Sequence, residues 1–479
     1  MLPIKIIRIP LLFALAVLLS SSSSSITMHN YGKKKIVIDN SNDLSSIVEN
    51  NCAYIIIGII DLCGQSIRMP ANSVIDYHKG KIINGVIIGN DTQVRGLHDK
   101  CIGFAIEGKW IVPKIKDSFF DSVYLSDNQV MTNINSMQSD KVYNRIFLGR
   151  DNYLCSVNGE GGYVLNLSSN TKLTIKSTIA ITGNDYIGYK IIRIANKENV
   201  VIKGGTIIGD VGKHHYVEGS TSQWGHGVLI HNSKHIRIER LTVTKCIGDG
   251  ITITGGSGSH YGDMSNASSD VVINKAVSSF NRRQGLSLIH AENITIKNSI
   301  FSDTGVIEYQ SPSAGIDIEP DLDPHFQTTR NIKIINCRFE RNIGRSILAN
   351  HYMNYNGTKS VSSVLIDDCY CDGKFELYVG GITVTNSRLS SLEVHAEKDP
   401  IEGLFFYKCV IGENGITLNC ANKRKGIDTG IKEIVLNRCT IMVSESTLER
   451  NDGSPVVLQG KKENITGVIL NRCKIKAQQ

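Results

Sequence analysis

Proline is scarce in this sequence, and long apolar runs are nearly absent. There are 9 prolines among 479 residues, and no long window has the periodicity of an amphipathic helix, which argues against an α-helical solenoid. After the N-terminal segment no stretch is apolar for long enough to cross a bilayer, so we expect no stable membrane insertion. The formal charge of +7 is spread out, without a lysine or arginine block. This pattern predicts no nucleic-acid partner and is compatible with an acidic polysaccharide.

Metal-binding cysteine motifs are also lacking. The 12 cysteines include no CxxC pair matched by a second pair at zinc spacing, and the adjacent His214 and His215 diverge on a strand. We therefore expect no metal and no cofactor. Five cysteines share one place in the repeat described below, which favours a buried ladder of reduced thiols over disulfides: Cys337, Cys369, Cys409, Cys439 and Cys473.

The N-terminus has the pattern of a secretory signal peptide. Lys5 and Arg8 precede an apolar run over residues 11–19, and a serine run covers residues 20–25. A basic start, a short apolar core and small residues behind it are typical of an export signal. Residues 1–27 are therefore predicted to be a signal peptide, and the protein to be secreted or periplasmic in a bacterium.

A short β pattern returns along the chain and predicts the fold. Each copy is a β-branched or apolar strand with alternating side chains, and successive copies lie 18 to 38 residues apart. The shortest steps match one turn of a parallel β-helix, and the longer ones match a turn plus a loop. The first apolar residues of the copies are Val200, Ile236, Val271, Ile294, Ile332, Val364, Ile382, Leu404, Ile434 and Val468.

A small or thiol side chain recurs five residues after many of these anchors, as stacked coils require. The sequence thus predicts an all-β, single-stranded right-handed parallel β-helix over residues 166–479. A denser β segment over residues 28–115 is predicted to form an N-terminal β cap domain. Residues 116–165 are predicted to form a connection and the first coils, with one short helix near 127–137.

The repeat, with its Asn-Cys or Asn-Ser ends, resembles the pectin-lyase-like superfamily of right-handed parallel β-helices. The cap sequence over residues 61–96 is similar to that of secreted β-helix proteins of gut Bacteroidota. The resemblance implies a polysaccharide or oligosaccharide substrate, because the superfamily includes polygalacturonases, pectate lyases, alginate epimerases and phage tailspike glycosidases. It leaves the reaction open.

Motifs of particular families match only in part. The Asn-Thr-Asp, Asp-Asp and Arg-Ile-Lys set of polygalacturonases is absent, although Gly225-His226-Gly227 matches their Gly-His-Gly element by type. The Arg-x-x-Arg-x-Pro-Lys signature of calcium-dependent pectate lyases is absent as well. Residues 323–328 are similar to the Asp-Pro-His-Glu-Gln-Thr run of alginate epimerases, which implies roles for Asp323 and His325.

Four successive coils bring unusual residues to one edge of the predicted helix. In each, a glycine starts a short apolar strand, so these glycines are expected to stack at a corner that needs positive φ or close approach. Ile316 and Ile318 should point into the core, which turns Asp317 and Glu319 outward together at a Cα separation of roughly 6.5 to 7 Å. Paired carboxylates at such separations serve as acid and base in glycosidases, and proximity raises one pKa.

For Asp249, Arg282 and Arg283 at this edge, the sequence allows either a functional or a structural role. Asp249 assists the pair, or caps the core as a buried carboxylate. Arg282 and Arg283 bind a substrate carboxylate, or pair with Asp249 for structural reasons. The remaining predicted substrate-binding residues are Trp224, His226, Gln284 and His325. Long loops over 210–224 and 255–270 connect strands of the same coils, as expected for a binding cleft.

Three functions follow from these features. The first is a secreted glycoside hydrolase with Asp317 and Glu319 as catalytic pair. The second is a lyase or C5-epimerase on a uronic-acid polymer, with an arginine neutralising the substrate carboxylate and a histidine or tyrosine moving the C5 proton. The third is a non-catalytic glycan-binding or tailspike-like β-helix. The sequence does not define the oligomeric state.

Overall fold

The chain folds into two regions of parallel β-structure in a computed structural model. The structure describes residues 33–478 apart from 261, 322–324, 351–358, 397–399, 413–414, 421–429, 452 and 461–463. The predicted signal peptide lies outside the described residues. The first region holds seven strands: β1 (Lys35–Ile38), β2 (Ala53–Ile56), β3 (Ile59–Asp61), β4 (Ser66–Arg68), β5 (Val74–Tyr77), β6 (Lys81–Arg95) and β7 (Ile102–Ile111).

The second region is a solenoid with three walls, and most coils add one strand to each wall in turn. Wall 1 is a 13-stranded parallel sheet made of β8 (Lys114–Lys116), β9 (Asn144–Leu148), β12 (Thr171–Ile175), β15 (Glu198–Lys203), β18 (Lys234–Glu239), β21 (Ser268–Asn274), β24 (Ala291–Lys297), β27 (Thr329–Ile335), β30 (Val361–Asp367), β32 (Ile382–Thr385), β34 (Leu404–Tyr407), β37 (Ile434–Asn437) and β40 (Val468–Asn471).

Walls 2 and 3 together form a 21-stranded parallel sheet. Wall 2 consists of β10 (Asn152–Cys155), β13 (Thr178–Ile181), β16 (Thr206–Ile208), β19 (Thr242–Thr244), β22 (Val277–Ser279), β25 (Ile300–Ser302), β28 (Arg338–Glu340), β35 (Val410–Ile411), β38 (Thr440–Ser444) and β41 (Lys474–Gln478). Wall 3 consists of β11 (Tyr163–Asn166), β14 (Gly188–Ala195), β17 (Trp224–His231), β20 (Asp249–Thr254), β23 (Gln284–Leu288), β26 (Ala314–Ile318), β29 (Arg345–Ala349), β36 (Ile416–Cys420) and β39 (Val456–Gly460). Two long strands run through both walls: β31 (Tyr370–Leu377) and β33 (Arg388–His395).

The predicted repeat register is confirmed. Every anchor residue lies directly opposite the next anchor in wall 1, from Val200 against Ile236 to Ile434 against Val468. Crossover connections between parallel strands are right-handed. The chain is therefore a single-stranded right-handed parallel β-helix, the fold that the sequence predicts.

Left-handed backbone conformations recur at two places in the coils, just before the anchor residue and just after the wall 1 strand. The residue before the anchor has positive φ in every copy except the one anchored at Ile434, as at Asn293 (57°) and Asn331 (54°). The residue after the strand also has positive φ, as at Asn298 (54°) and Asn336 (50°). Asparagine, aspartate and glycine tolerate this conformation best. Corners of this kind turn the chain from one wall into the next.

The predicted cysteine ladder is present and unbridged. All 12 cysteines are free thiols. Those of the ladder are buried except Cys473, which lies in the last coil and is half-buried. Each thiol contacts a carbonyl of its own strand and one of the preceding coil, as Cys369 Sγ does with Asp367 O at 3.3 Å and Ile334 O at 3.6 Å.

The N-terminal region is itself wound. Its strands pair in parallel at offsets close to the shortest coil of the main helix: Lys35 lies opposite Ala53, Ala53 opposite Val74, and Val74 opposite Gln93. The sequence predicts a β cap domain here, and the described residues of this region form parallel strands that wind in the same way as the main helix.

Helix α1 (Asp127–Met137) covers the first coil, on the residues where the sequence predicts a helix. Its apolar face, with Val130 and Ile134, is buried. Two asparagine side chains form hydrogen bonds with the backbone at strand edges, in the way that a neighbouring strand would. Asn133 exchanges hydrogen bonds of 2.8 and 2.9 Å with the backbone of β7, and Asn135 exchanges two of 2.9 Å with that of β11. The helix thus satisfies edges that would otherwise pair with another chain.

Helix α2 (Glu445–Arg450) follows β38, and two short 3-10 helices lie at Ser41–Ser46 and Asp117–Phe119. Among the residues that the structure describes, no helix is long and apolar enough to span a bilayer.

Candidate active site on the outer face of wall 3

The outer face of wall 3 carries the predicted carboxylate pair. Ile316 and Ile318 are fully buried in the core, as predicted, so Asp317 and Glu319 lie on the opposite side of the strand. In the register of wall 3, Asp317 stands beside Ser287 of the preceding coil. Thr252 of β20 stands beside Ser287 on the other side.

A ladder of glycines forms the corner before these strands. Gly250 lies opposite Gly285, and Gly285 opposite Gly315. None of them has positive φ. A Cβ on Gly285 would lie 2.5 Å from the carbonyl oxygen of Gly315, and one on Gly250 would lie 2.1 Å from Ser278 Oγ. Of the two predicted reasons for glycine, close approach is the one that applies.

The corner also decides where Asp249 points. Simple alternation through Gly250 would turn this carboxylate inward. Instead Asp249 accepts hydrogen bonds from Thr252 Oγ1 and Ser287 Oγ, both at 3.0 Å, and these hydroxyls lie on the outer face. The bend at Gly250 therefore brings Asp249 to the same side as Asp317, although it is fully buried there.

Arg283 joins two of the three carboxylates. Its Nη1 donates to both oxygens of Asp249 at 3.1 and 3.3 Å, and its Nη2 donates to both oxygens of Glu319 at 3.0 and 2.8 Å. Burial lowers the pKa of Arg283, but Asp249 and Glu319 outweigh this and raise it overall. Arg283 is thus a fixed cation shared by two anions, the structural role that the sequence left open.

Gln284 and Ser287 connect Asp317 to this group. Gln284 Nε2 donates to Asp317 Oδ2 at 2.8 Å and to Glu319 Oε1 at 3.2 Å, so those two oxygens share one amide nitrogen. Ser287 Oγ bonds to Glu319 Oε1 at 3.1 Å and to Gln284 Oε1. The Oδ1 atom of Asp317 is buried and has no hydrogen-bond partner among the described residues.

Burial and mutual repulsion make Asp317 the proton-bearing member of the group. Desolvation, reinforced by the Glu319 charge, raises the pKa of Asp317 well above its ordinary value. Desolvation also raises the pKa of Glu319 and of Asp249, but Arg283 opposes the shift in both. Asp317 is 2% exposed and bonds to an amide instead of to the guanidinium. The pKa is thus raised in all three carboxyl groups and most strongly in Asp317, which stands beside a carboxyl group paired with a guanidinium.

His226, a predicted substrate-binding residue, is buried beside Asp249. Its Nδ1 accepts the Asp249 backbone N–H at 3.3 Å. Burial, with Lys190 and Arg283 nearby, lowers the pKa of His226 to about 3. The imidazole is neutral at ordinary pH and orients the Asp249 backbone.

Arg282 fastens loops instead of pairing with Asp249. Its Nη1 donates to Thr221 O at 2.8 Å, its Nη2 donates to Gln310 Oε1 at 3.2 Å, and its guanidinium lies 4.4 Å from the Tyr216 ring centre. These contacts join the loop over 209–223 to the loop over 303–313. The Arg282 guanidinium is therefore held by contacts with Thr221, Gln310 and Tyr216.

The other predicted substrate-binding residues lie at the margins. Trp224, at the start of β17, is 49% exposed. His325 lies in the loop over 319–328, where its Nδ1 is 2.9 Å from Ser257 Oγ and its Nε2 is 3.7 Å from Asp321 Oδ2. It therefore contacts the loop over 255–267 and not the carboxylate group. Asp323 lies outside the described residues.

Ser287 and Thr252 belong to the site although no motif in the sequence marks them. Each lies two residues after a corner glycine, the position that Asp317 holds after Gly315. Aligning the coils on their glycines would have found both. The analysis also did not single out Asp210, whose buried carboxylate accepts hydrogen bonds from Tyr189 OH at 2.6 Å and lies 2.8 Å from His214 Nδ1.

A second polar cluster, also missed, lies further along wall 3. Glu376, Glu393 and His395 each bring one ligand atom within 4.8 Å of the others. Arg345 Nε bonds to Glu376 Oε2 at 2.5 Å, and Lys374 Nζ lies 3.1 Å from Glu393 Oε1. Because each carboxylate already pairs with a basic side chain, the cluster is nearly neutral.

Comparison with known proteins gives relatives of this chain without a named activity. No family model matches the chain. The SPbeta prophage-derived uncharacterized protein YorA of Bacillus subtilis (strain 168) is 30% identical over 230 residues, covering 46% of this chain and 38% of that protein. The uncharacterized protein YclG of the same organism is 26% identical over 254 residues, covering 52% and 42%. The chain thus matches about two fifths of each relative's length.

Solved structures resemble the chain at low sequence identity. The A-module of mannuronan C-5 epimerase AlgE4 of Azotobacter vinelandii is 13% identical, with a TM-score of 0.45 over 70% of this chain and 90% of that one. A tailspike protein of Acinetobacter baumannii bacteriophage Fri1, a capsular polysaccharide depolymerase, is 12% identical, with a TM-score of 0.40 over 75% and 63%. Because these identities and TM-scores are low, any assignment of chemistry has to rest on the side chains of this chain.

Proposed function

We propose that the protein is a polysaccharide-active enzyme, and specifically a glycoside hydrolase. The observation that carries the proposal is the buried group on wall 3, in which Asp317 has a strongly raised pKa and stands beside Glu319. A neutral carboxylic acid next to a carboxylate is what acid and base catalysis of glycosidic cleavage requires.

The contacts support a distinct role for each member. Asp317 is the general acid and protonates the leaving glycosidic oxygen. Glu319, held by Arg283, is the base that activates water or the nucleophile that attacks the sugar. Asp249 anchors Arg283 and so fixes Glu319. The side chains of Arg283 and Glu319 are each 12% exposed, and substrate approaches Asp317 past them.

The lyase or epimerase reading is the less supported of the enzyme readings. It needs an arginine to neutralise a substrate carboxylate, and both predicted arginines have other partners. Arg283 bonds to Asp249 and Glu319, and Arg282 bonds to two loops. A purely glycan-binding role is also less supported, because the carboxylates lie together between long loops and not apart on a flat face.

The test is a screen of the purified protein against neutral and acidic polysaccharides, with Asp317→Asn as the matched control. We expect new reducing ends without the ultraviolet absorption of unsaturated uronates, and no release of reducing ends by the control. Unsaturated products would identify a lyase. Binding without any product from the panel would favour the glycan-binding role.

We also propose that the protein is exported, on the pattern of residues 1–27. Expression of the full sequence in a bacterial host should yield a shortened chain outside the cytoplasm. An intact N-terminus on a cytoplasmic product, determined by mass spectrometry, would reject this proposal.

A further inference from the structure

The outer face of wall 3 continues beyond the catalytic group. In the strand register Asp317 lies opposite Leu348, Leu348 opposite Glu376, and Glu376 opposite Glu393. With about 4.8 Å between coils, Glu376 lies roughly 10 Å and Glu393 roughly 14 Å from Asp317 along the helix axis. A polymer lying along this axis would pass both groups.

The second cluster is organised around Glu376, which is buried. Tyr378 OH donates to Glu376 Oε1 at 2.7 Å, and the Tyr378 ring stacks on His395 at 4.7 Å between centres. His395 Nε2 lies 3.5 Å from Glu376 Oε1 and 3.6 Å from Glu393 Oε2. These contacts hold carboxylate, imidazole and phenol groups in one place on the outer face.

An exposed aromatic ring stands on the loop between the two groups. Tyr309, in the loop over 303–313, is 53% exposed. Both ends of that loop bond to the turn just before Arg345: Ile343 N donates to Thr304 O at 3.0 Å, and Gly344 N donates to Ser313 O at 3.1 Å. The loop is therefore fixed beside the second cluster, and Arg282 ties it to the first.

We propose that Tyr309 and the cluster of Arg345, Glu376, Tyr378, Glu393 and His395 form a second sugar-contacting subsite. The proposal rests on the proposed function and adds that the substrate is an extended polymer running along the helix axis. Tyr309 provides an apolar ring face for a sugar, and the cluster provides hydrogen-bonding groups for its hydroxyls. Because basic side chains balance both glutamates, the chemistry fits neutral hydroxyls better than a free cation.

Affinity for long and short oligosaccharides tests the subsite. In a Glu319→Gln parent, which binds without turning over, Tyr309→Ala and Glu393→Gln should each weaken binding of long chains about tenfold, by calorimetry. Binding of chains too short to reach from Asp317 to Glu393 should not change. Phe405→Ala is the matched control, since Phe405 is an exposed aromatic residue (40%) on wall 1, and it should change neither affinity.

Several results would overturn the subsite. One is equal affinity of the parent and both variants for long chains, and another is an equal loss for long and short chains. Binding that is abolished by a chelator and restored by a divalent cation would assign the cluster to a metal instead. The binding measurement does not depend on turnover. If the unsubstituted protein binds a polysaccharide but does not cleave it, the proposed hydrolase activity is rejected and the subsite is not. If the Glu319→Gln parent binds no polysaccharide, both proposals are rejected.

Discussion

At the residue scale the site is a problem of charge balance. Of the three carboxylates, Asp249 and Asp317 are buried and Glu319 is 12% exposed, and the one guanidinium bonds to Asp249 and Glu319. Asp317 is left with an amide donor and an unpartnered oxygen among the described residues. A charge with no counter-ion is costly in a buried site, so this carboxyl retains its proton.

The raised pKa of Asp317 predicts how stability depends on pH. The folded state holds a proton that the unfolded state releases near pH 3.9, so stability present in acid is lost as pH rises through the raised pKa. Asp317→Asn removes this loss. The variant should be more stable than the parent at pH 8, by urea denaturation, and the difference should shrink towards pH 4. A difference that is constant over this range would contradict the assignment.

Removal of Arg283 should be far more costly than removal of a surface arginine. Arg283→Met leaves Asp249 and Glu319 buried without their partner, and breaking such a pair costs about 3–5 kcal/mol. Arg341→Met is the control, because Arg341 also pairs bidentately with one carboxylate, Asp303, but is exposed. It should cost no more than about 1 kcal/mol. Equal unfolding free energies for the two variants would refute the shared role of Arg283.

At the element scale the glycine corner places the site. Gly250 and Ile251 are neighbours in β20, and both face the core. This breaks the alternation of the strand, so the Asp249 side chain points outward. These glycines and the outward direction of Asp317 and Glu319 could be predicted from the sequence, because alternation between core isoleucines is a local property. It left Asp249 open, because the bend depends on the approach of the neighbouring coil at Gly285, which no local pattern contains.

The corner predicts a clear difference between two glycines. Gly250→Ala would place a methyl group 2.1 Å from Ser278 Oγ and 2.5 Å from Asn281 Nδ2. It should destabilise the protein by about 1–3 kcal/mol through overpacking. Gly256→Ala, in the loop after β20, meets its nearest atom at 3.2 Å and should change stability by no more than about 0.5 kcal/mol. Equal thermal shifts for the two would contradict the close-approach account.

The cysteine ladder makes a separate prediction about its element. Neighbouring ladder thiols lie in equivalent turns between wall 1 and wall 2. With coils about 4.8 Å apart and side chains parallel, we expect Cβ separations larger than the roughly 3.8 Å that a bridge needs. Thiol titration of the native protein should find the exposed Cys63 reactive and the buried ladder unreactive. All 12 thiols should react after denaturation. A disulfide between Cys337 and Cys369, detected by mass spectrometry, would overturn the ladder.

At the scale of the whole molecule, the stacking of successive coils forms long continuous walls. The fold and the coil register follow from the sequence because the anchors recur on a single wall. Loop packing does not follow in this way: the partners of Arg282 at Thr221 and Gln310 are distant in sequence. For the same reason the cluster around Glu376 was not found, since its members come from different coils without a shared motif.

The central claim is that Asp317 and Glu319 carry the reaction, and turnover of the polysaccharide found by the screen tests it most directly. Asp317→Asn and Glu319→Gln should each lower kcat by about a hundredfold or more, as expected for loss of general acid or base catalysis, with the fold intact by circular dichroism. Glu292→Gln, a carboxylate on wall 1 paired with Arg330, should keep full activity. Full activity in both Asp317→Asn and Glu319→Gln would contradict the account.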